Sequence, residues 1–175
     1  MEETPLISKK QLDRTGLSLA DKWPCHKSDP DFIVVDTYRR SHFEALNYTY
    51  NTLEDICSRV VGKDYITSQR LKRMPTILEK IKTRQPRDLS SMQDLGGCRA
   101  ILPDIKTVIE VYNKLLEFAP CIFNTPAKGL KDYITNPKAN GYRSMHMVVL
   151  VEQMNEDGLN VIRPIEIQCR TRTMH

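Results

Sequence analysis

Residues 98–104, Cys98-Arg99-Ala100-Ile101-Leu102-Pro103-Asp104, are where the chain changes its hydrophobic period. Cys98 to Leu102 is short and mostly apolar, which predicts a largely buried β-strand, and Pro103 closes it because proline has no N–H to give to a ladder. Asp104 is suited to cap a following helix. Ile105, Val108, Ile109, Tyr112, Leu115, Leu116 and Ala119 then recur at helical spacing and predict a helix running to Pro120. Beyond a Pro- and Gly-bearing loop from Asn124 to Gly141, Ser144 to Val151 reads as a strand. Asn155-Glu156-Asp157-Gly158 is a turn, and Arg163 to Arg170 is a strand pairing with the previous one. A strand–helix–strand step with a hairpin after it defines the α/β (α+β) class with a mixed sheet flanked by helices.

Upstream, a short helix is expected around Ser8 to Leu19, followed by a loop punctuated by Pro24 and Pro30. From Asp31 to Val61 the stripe of Leu46, Tyr50, Leu53, Cys57 and Val60 predicts one long amphipathic helix stopped by Gly62. Thr67 to Arg73 is extended, and Met74-Pro75 opens a helix with Ile77, Leu78 and Ile81 on its apolar side. The expected organisation is an N-terminal helical arm, residues 1–64, packed on a core domain of residues 65–175.

With 175 residues, 40% hydrophobic and 27% charged, the chain is no disordered polymer, collagen repeat or coiled coil. Apolar runs such as 145–151 are far too short to span a bilayer. The acidic start MEETPLISKK lacks the character of a signal peptide. Five scattered cysteines without a CxxC pair argue against a disulfide framework or zinc knuckle, so a reduced, cytoplasmic setting is expected. The net charge of +4 hides a concentration: Arg70, Lys72, Arg73, Lys80, Lys82, Arg84 and Arg87 stand against Glu79 alone. With Lys128, Lys131, Lys138 and Arg143 they form two basic clusters, which read either as solvated faces or as the footprint of a polyanion, nucleotide or nucleic acid.

Two acids stand out. Asp94 precedes the first predicted strand of the core, and Glu166 lies inside the last one, where alternation puts Glu166, Gln168 and Arg170 on one face. A mid-strand carboxylate implies an exposed edge, a salt bridge, or a pair with Asp94 able to hold Mg²⁺ together with phosphate oxygens. The run Lys131-Asp132-Tyr133-Ile134 through Lys138-Ala139-Asn140-Gly141-Tyr142-Arg143-Ser144-Met145-His146 is either an ordinary turn or a site with lysines for phosphates and Tyr142 for a base. There is no Walker A or GxGxxG motif and no local motif for a nucleophilic triad.

Four blocks in order resemble the synthetase domain of the RelA/SpoT family: Gln69-Arg70-Leu71-Lys72-Arg73 with Thr76-Ile77 and Lys80; Gln93-Asp94-Leu95-Gly96-Gly97-Cys98-Arg99; Lys131 through His146; and Glu166-Ile167-Gln168-Cys169-Arg170-Thr171. The resemblance spans about residues 65–175. It implies a nucleotidyltransferase-like fold and Mg²⁺-dependent transfer of the β,γ-pyrophosphate of ATP to a ribose 3′-hydroxyl. It also implies roles: Asp94 and Glu166 as catalytic and metal-binding acids, and Arg70, Lys72, Lys80 and Arg99 around ATP. Lys131, Lys138, Asn140, Tyr142, His146 and Gln168 would surround the acceptor. DLGGCR and EIQCRT depart from the family's usual DIAGIR-like and EIQIRT blocks only where side chains are expected to pack.

No metal-dependent hydrolase domain accompanies these blocks, and further C-terminal helices of relatives are expected to be missing after His175. The look is that of the toxic small alarmone synthetases. The acceptor is therefore expected to be the 3′-CCA end of tRNA, with an antitoxin as partner, on the strength of the +6 segment between Gln69 and Arg87. The alternative is GDP or GTP as acceptor, and a third reading is a catalytically silent nucleotide- or RNA-binding module.

Overall fold

The computed structural model describes residues 7–83, 88–155 and 158–174. The chain divides into two compact units, residues 1–41 with 72–92, and residues 42–71 with 93–175. This division differs from a boundary at residue 64: the helix and strand preceding Leu71 group with the sheet, and the segment after it groups with the N-terminal helices.

The first unit contains α1 (Lys9–Lys22), α2 (Pro30–Arg40), α4 (Met74–Lys82) and a 3₁₀ turn at Leu89–Ser91. The Ser8 side chain accepts from the Gln11 N–H to start α1, and Asp29 does the same for Asp31 at the start of α2. Leu12, Leu19, Ile77, Leu78, Ile81 and Leu89 are buried here. Gly16 permits the close approach of α1 and α4, since a Cβ there would lie 3.3 Å from both Ile81 and Leu89. The Asp13 carboxylate ties the 3₁₀ turn down by accepting from the Ser90 N–H and hydroxyl.

The second unit contains α3 (Phe43–Val61), β1 (Ile66–Leu71), β2 (Gly96–Leu102), α5 (Ile105–Ile122), β3 (Lys128–Asp132), β4 (Met145–Met154) and β5 (Asn160–Thr171). The five strands form one mixed sheet in the order β1-β2-β5-β4-β3. Only the β2–β5 pair is parallel, and α5 is the helix that leads away from β2. Cys98, Ala100, Leu102, Met147, Val149, Ile165, Ile167 and Cys169 point to one face and pack with Leu46, Leu53, Cys57, Val108, Tyr112 and Leu115 of α3 and α5. Burial pushes the Cys57 and Cys98 thiols up to about 12, so they behave as small core hydrophobes. Glu54 joins α3 to β1: its carboxylate accepts from the Tyr50, Tyr65 and Thr67 hydroxyls. Among the described residues no helix is long and apolar enough to cross a membrane.

Four local readings are corrected. The helix expected across 31–61 is two helices, because Ser41 turns its N–H to Thr37 and its hydroxyl to Tyr38 and ends α2; the apolar stripe belongs wholly to α3. Pro120 does not end α5, which runs two residues further: Ala119 and Phe123, one turn apart, are both buried, and the Phe123 N–H still reaches the Ala119 carbonyl at 2.9 Å. The stretch expected to be loop from Asn124 to Gly141 contains β3, an edge strand whose every residue is exposed, so it carries no apolar alternation to read. Finally, β5 begins at Asn160 and includes Pro164, which is tolerated because pairing with β2 starts only at Ile165 and leaves one side of β5 open there. The expected Asn155–Gly158 turn is seen at its ends, the Gly158 N–H reaching the Asn155 carbonyl, while Glu156 and Asp157 lie outside the described residues.

Tyr112 links this core to the sheet's functional side. Its buried hydroxyl, pushed up to about 12 chiefly by burial, donates to the His146 carbonyl at 2.9 Å. Tyr112→Phe is expected to lower unfolding stability by about 1 kcal/mol, measured by urea titration, since it removes one buried hydrogen bond and no packing volume.

Candidate active site

The sheet's second face, turned away from α3 and α5, follows from the strand registers. Arg70 pairs with Gly97, Gly97 with Glu166, Arg99 with Gln168, His146 with Gln168, and Lys131 with His146. One continuous surface therefore carries Arg70, Arg99, Glu166, Gln168, Arg170, His146 and Lys131. Gly97 has no side chain to cover the ground beside Glu166; a Cβ there would sit 3.6 Å from the Glu166 carbonyl. Asp94 lies two residues before β2 and is half-buried.

Glu166 is the centre of the polar network. Its Oε1 is 3.0 Å from His146 Nδ1, and its Oε2 accepts from Gln168 Nε2 at 2.7 Å. Burial alone would raise this carboxyl. The hydrogen bond and charge of the His146 ring, aided by the Gln168 amide, outweigh that and hold it below the usual carboxylate range, with the charge of Asp94 pushing back upward. That coupling places the two acids within electrostatic reach of each other. Arg99 donates to Gln168 Oε1 at 3.3 Å, and its buried Nε has no partner among the described residues. Arg170 is almost fully buried, and its guanidinium is lowered by burial and by the adjacent charge of Arg99. Two guanidiniums side by side with a donor to spare are suited to an anion.

Beside this floor stands an aromatic group. Tyr142 and Tyr133 meet edge-on with ring centroids 6.0 Å apart, and each meets His146 in the same way at 5.7 and 5.2 Å. Lys138 Nζ lies 4.6 Å from the Tyr133 ring centroid and 5.1 Å from that of Tyr142, and Arg170 lies 5.9 Å from the Tyr142 centroid. The loop between β3 and β4 is built for this: Gly141 takes φ +79°, the Gly141 N–H reaches the Lys138 carbonyl, and Asn140 Oδ1 accepts the Tyr142 N–H at 3.2 Å.

The Asp132 carboxylate accepts from the Ile134 and Thr135 N–H groups and the Thr135 hydroxyl. The Thr135 bonds chiefly, with Ile134 assisting, hold it below the usual range. Because the folded-state value is depressed, this contribution is complete above the unfolded carboxylate's pKa and is lost only as pH falls through the lower folded value. Asp132→Ala is expected to loosen the turn after β3 and lower unfolding stability at neutral pH, with the difference from the parent chain narrowing in acid, as measured by urea titration at several pH values.

Of the residues singled out from sequence, Asp94, Arg70, Arg99, Lys131, Lys138, Asn140, Tyr142, His146, Glu166 and Gln168 all belong to the sheet unit, and all except Asp94 lie on or beside this face. Lys72 and Lys80 belong to the other unit, Lys72 directly after β1 and Lys80 in the last turn of α4. Arg84 and Arg87 of the basic run lie outside the described residues. Tyr133 and Arg170 carried no expected role. The signals for both were present: Tyr133 sits within the densest run of functional side chains, and period two already put Arg170 on the face of Glu166.

Among the described residues no three His, Cys, Asp or Glu side chains converge as a metal cage. A pair of carboxylates, hard oxygen donors beside a cationic floor, fits Mg²⁺, which takes one or two protein carboxylates and completes its shell with phosphate oxygens and water.

The fold and the arrangement of the sheet are those of the alarmone synthetases. The small alarmone synthetase 1 of Bacillus subtilis, solved with its product pppGpp, superposes with a TM-score of 0.68 at 26% identity, covering 79% of this chain and 74% of that one. A GTP pyrophosphokinase family protein of Streptococcus pneumoniae gives a TM-score of 0.66 at 25% identity over 79% of this chain and 70% of the other. The profile described as "Region found in RelA / SpoT proteins" matches residues 69–175, well over half of the sequence, and the chain belongs to the RelA/SpoT family. A probable chloroplastic GTP diphosphokinase of Arabidopsis thaliana is 27% identical over 93% of this chain and 29% of its own length. A second one from that plant is 50% identical over 69% of this chain. The chain spans 29% of the first relative and 14% of the second.

Proposed function

We propose that this chain is an ATP-dependent pyrophosphokinase that passes the β,γ-diphosphate of ATP to the ribose 3′-hydroxyl of GDP or GTP. The observation that carries this reading is the geometry around Glu166. It is a carboxylate held below its usual range, on the same sheet face as Arg99 and Arg170 and feeling the charge of Asp94, joined through His146 to a group of edge-on aromatic rings with a lysine against two of them. Tyr142 offers its face to the guanine base, and Lys131 and Lys138 meet the acceptor's phosphates, with Asn140, His146 and Gln168 around them. Arg70 and Arg99 hold the adenine end of ATP.

In the reaction the acceptor's 3′-oxygen bonds to the β-phosphorus and the bond from that phosphorus to the α–β bridging oxygen breaks. AMP leaves, and the hydroxyl proton passes to Glu166. Asp94, with Glu166 beside it, would hold Mg²⁺, which supplies neutralisation of phosphate charge and alignment of the chain for attack. The rest is positioning and fixed charge, which is what phosphoryl-type transfer chiefly needs.

The acceptor leans the other way from the sequence expectation. The +6 segment favoured a tRNA 3′ end, but the relatives are named for guanine nucleotides and one of them was solved with pppGpp bound, which supports GDP or GTP better. Toxicity and an antitoxin partner draw no support from these relatives. The test offers γ-labelled ATP and Mg²⁺ to the protein with GDP, GTP or deacylated tRNA in parallel. Label in a guanosine tetra- or pentaphosphate is expected. Label on tRNA would restore the other acceptor, and label in neither would leave a silent binding module.

A further inference from the structure

β1 is an edge strand, paired in the sheet with β2 alone, and it carries Arg70. Register sets Thr67 opposite Ala100 and Gln69 opposite Cys98, so these two side chains lie on the sheet face turned to α3, while Arg70 lies on the other. On the α3 face β2, β5 and β4 present buried apolar and thiol side chains. β1 presents polar ones, and α3 meets them with a polar stripe of its own, Asn47, Tyr50 and Glu54, at spacings of three and four. Gln69 Nε2 donates to Asn47 Oδ1 at 3.0 Å. Glu54 takes the Tyr50 hydroxyl on Oε1 at 3.1 Å and, on Oε2 at 3.0 Å, the hydroxyl of Tyr65, which stands just before β1. The Thr67 hydroxyl closes the group against Glu54 Oε1 and lies 3.2 Å from the Tyr50 hydroxyl oxygen.

We infer that Glu54 is a positioning residue: the polar seam centred on it fixes β1 against α3, and so fixes Arg70 relative to Arg99 for the donor nucleotide. Its consequence for ATP rests on the pyrophosphokinase reading, in which those two guanidiniums hold the adenine. They belong to different strands, so their spacing is only as fixed as the placement of β1. An edge strand has a ladder on one side only. Apolar burial, which holds the other strands to the helices, has no direction, whereas hydrogen bonds set distance and angle. Cutting the seam therefore lets β1 shift and spoils the grip on ATP, while β4, β5 and the acceptor side stay where they are.

Glu54→Leu removes the partner of all three hydroxyls. In the full chain it is expected to raise the KM for ATP about three- to thirtyfold, the size of couplings within one hydrogen-bonded network, while the acceptor KM moves less than about twofold. Thr67→Val is isosteric and suits a strand, so it keeps the fold and should move the same KM in the same direction by less. Adding either change to Arg70→Ala is expected to cause no further loss, because the seam acts through Arg70. Tyr48→Phe is the control: it removes a bond from the same helix to the Ile122 carbonyl, outside the seam, and should leave the KM for ATP unchanged. Equal rises for both substrates, a matching rise in Tyr48→Phe, or fully multiplicative losses with Arg70→Ala would overturn the inference.

A second readout is independent of turnover. Amide hydrogen exchange in residues 66–71 is expected to speed up several-fold in Thr67→Val, with β4 and β5 unchanged. Equilibrium binding of ATP and Mg²⁺ without acceptor should weaken in parallel. Unchanged exchange in 66–71, or faster exchange with ATP binding intact, would overturn the inference even in an active enzyme. Faster exchange with weaker ATP binding, in a chain that transfers nothing, would uphold it and sink only the transfer reading.

Discussion

Replacing Glu166 with glutamine is expected to cut transfer by about a thousandfold or more while the chain stays folded and still binds ATP. Glutamine is isosteric and keeps one acceptor oxygen, so either His146 or Gln168 retains a partner and the other meets an amide that the Gln168 side chain can accommodate by turning over. The structural penalty is of order one lost hydrogen bond, roughly 1 kcal/mol. The chemical penalty is much larger, because an amide cannot take the proton of the 3′-hydroxyl and brings no negative charge beside Asp94. Removing a well-placed base alone costs about 10²–10⁴ in rate, and losing half of a two-carboxylate cation site adds to it. Asp94→Asn is expected to be of similar size, with the difference that its loss should be partly recovered at raised Mg²⁺. Single-turnover rates with saturating acceptor, alongside circular dichroism, separate these outcomes. Retention of more than a tenth of the rate in Glu166→Gln would remove Glu166 from the reaction.

Tyr142→Ala is the second large effect, and it should fall on one substrate only. Stacking of a base on an aromatic side chain is worth about 1–3 kcal/mol, so the acceptor's apparent affinity should drop about ten- to a hundredfold. The loss also frees Lys138 from one of its two rings and leaves Arg170 without its aromatic neighbour, which pushes the effect toward the upper end. The residues proposed for ATP are others than Tyr142, so the KM for ATP should change little. Equal losses for both substrates would mean that Tyr142 supports the whole site and does not read the acceptor base.

Much of this site was legible because it lies on strands. Period two in Glu166-Ile167-Gln168-Cys169-Arg170 separates the polar face from the core face without any structure, and the parallel partner β2 follows from the strand–helix step closed by Asp104. What escaped depends on partners distant in sequence. β3 is a strand only because β4 is beside it, and Lys-Gly-Leu-Lys-Asp has no pattern of its own. The break at Ser41 comes from a hydroxyl turning back on its helix, and Ser is compatible with helix or break. Arg170 was placed on the correct face but acquires its meaning from Tyr142 and Arg99, which come from the loop before β4 and from β2.

The central claim is the transfer of an intact diphosphate to a guanine nucleotide, and ³¹P NMR of the full chain with ATP, GDP and Mg²⁺ tests it without a label. AMP and a guanosine bearing a new 3′-diphosphate are expected to appear in equal amounts at the expense of ATP and GDP, with no accumulation of inorganic phosphate. ADP and inorganic phosphate in place of AMP, or unchanged ATP and GDP spectra under conditions in which both nucleotides are bound, would contradict it.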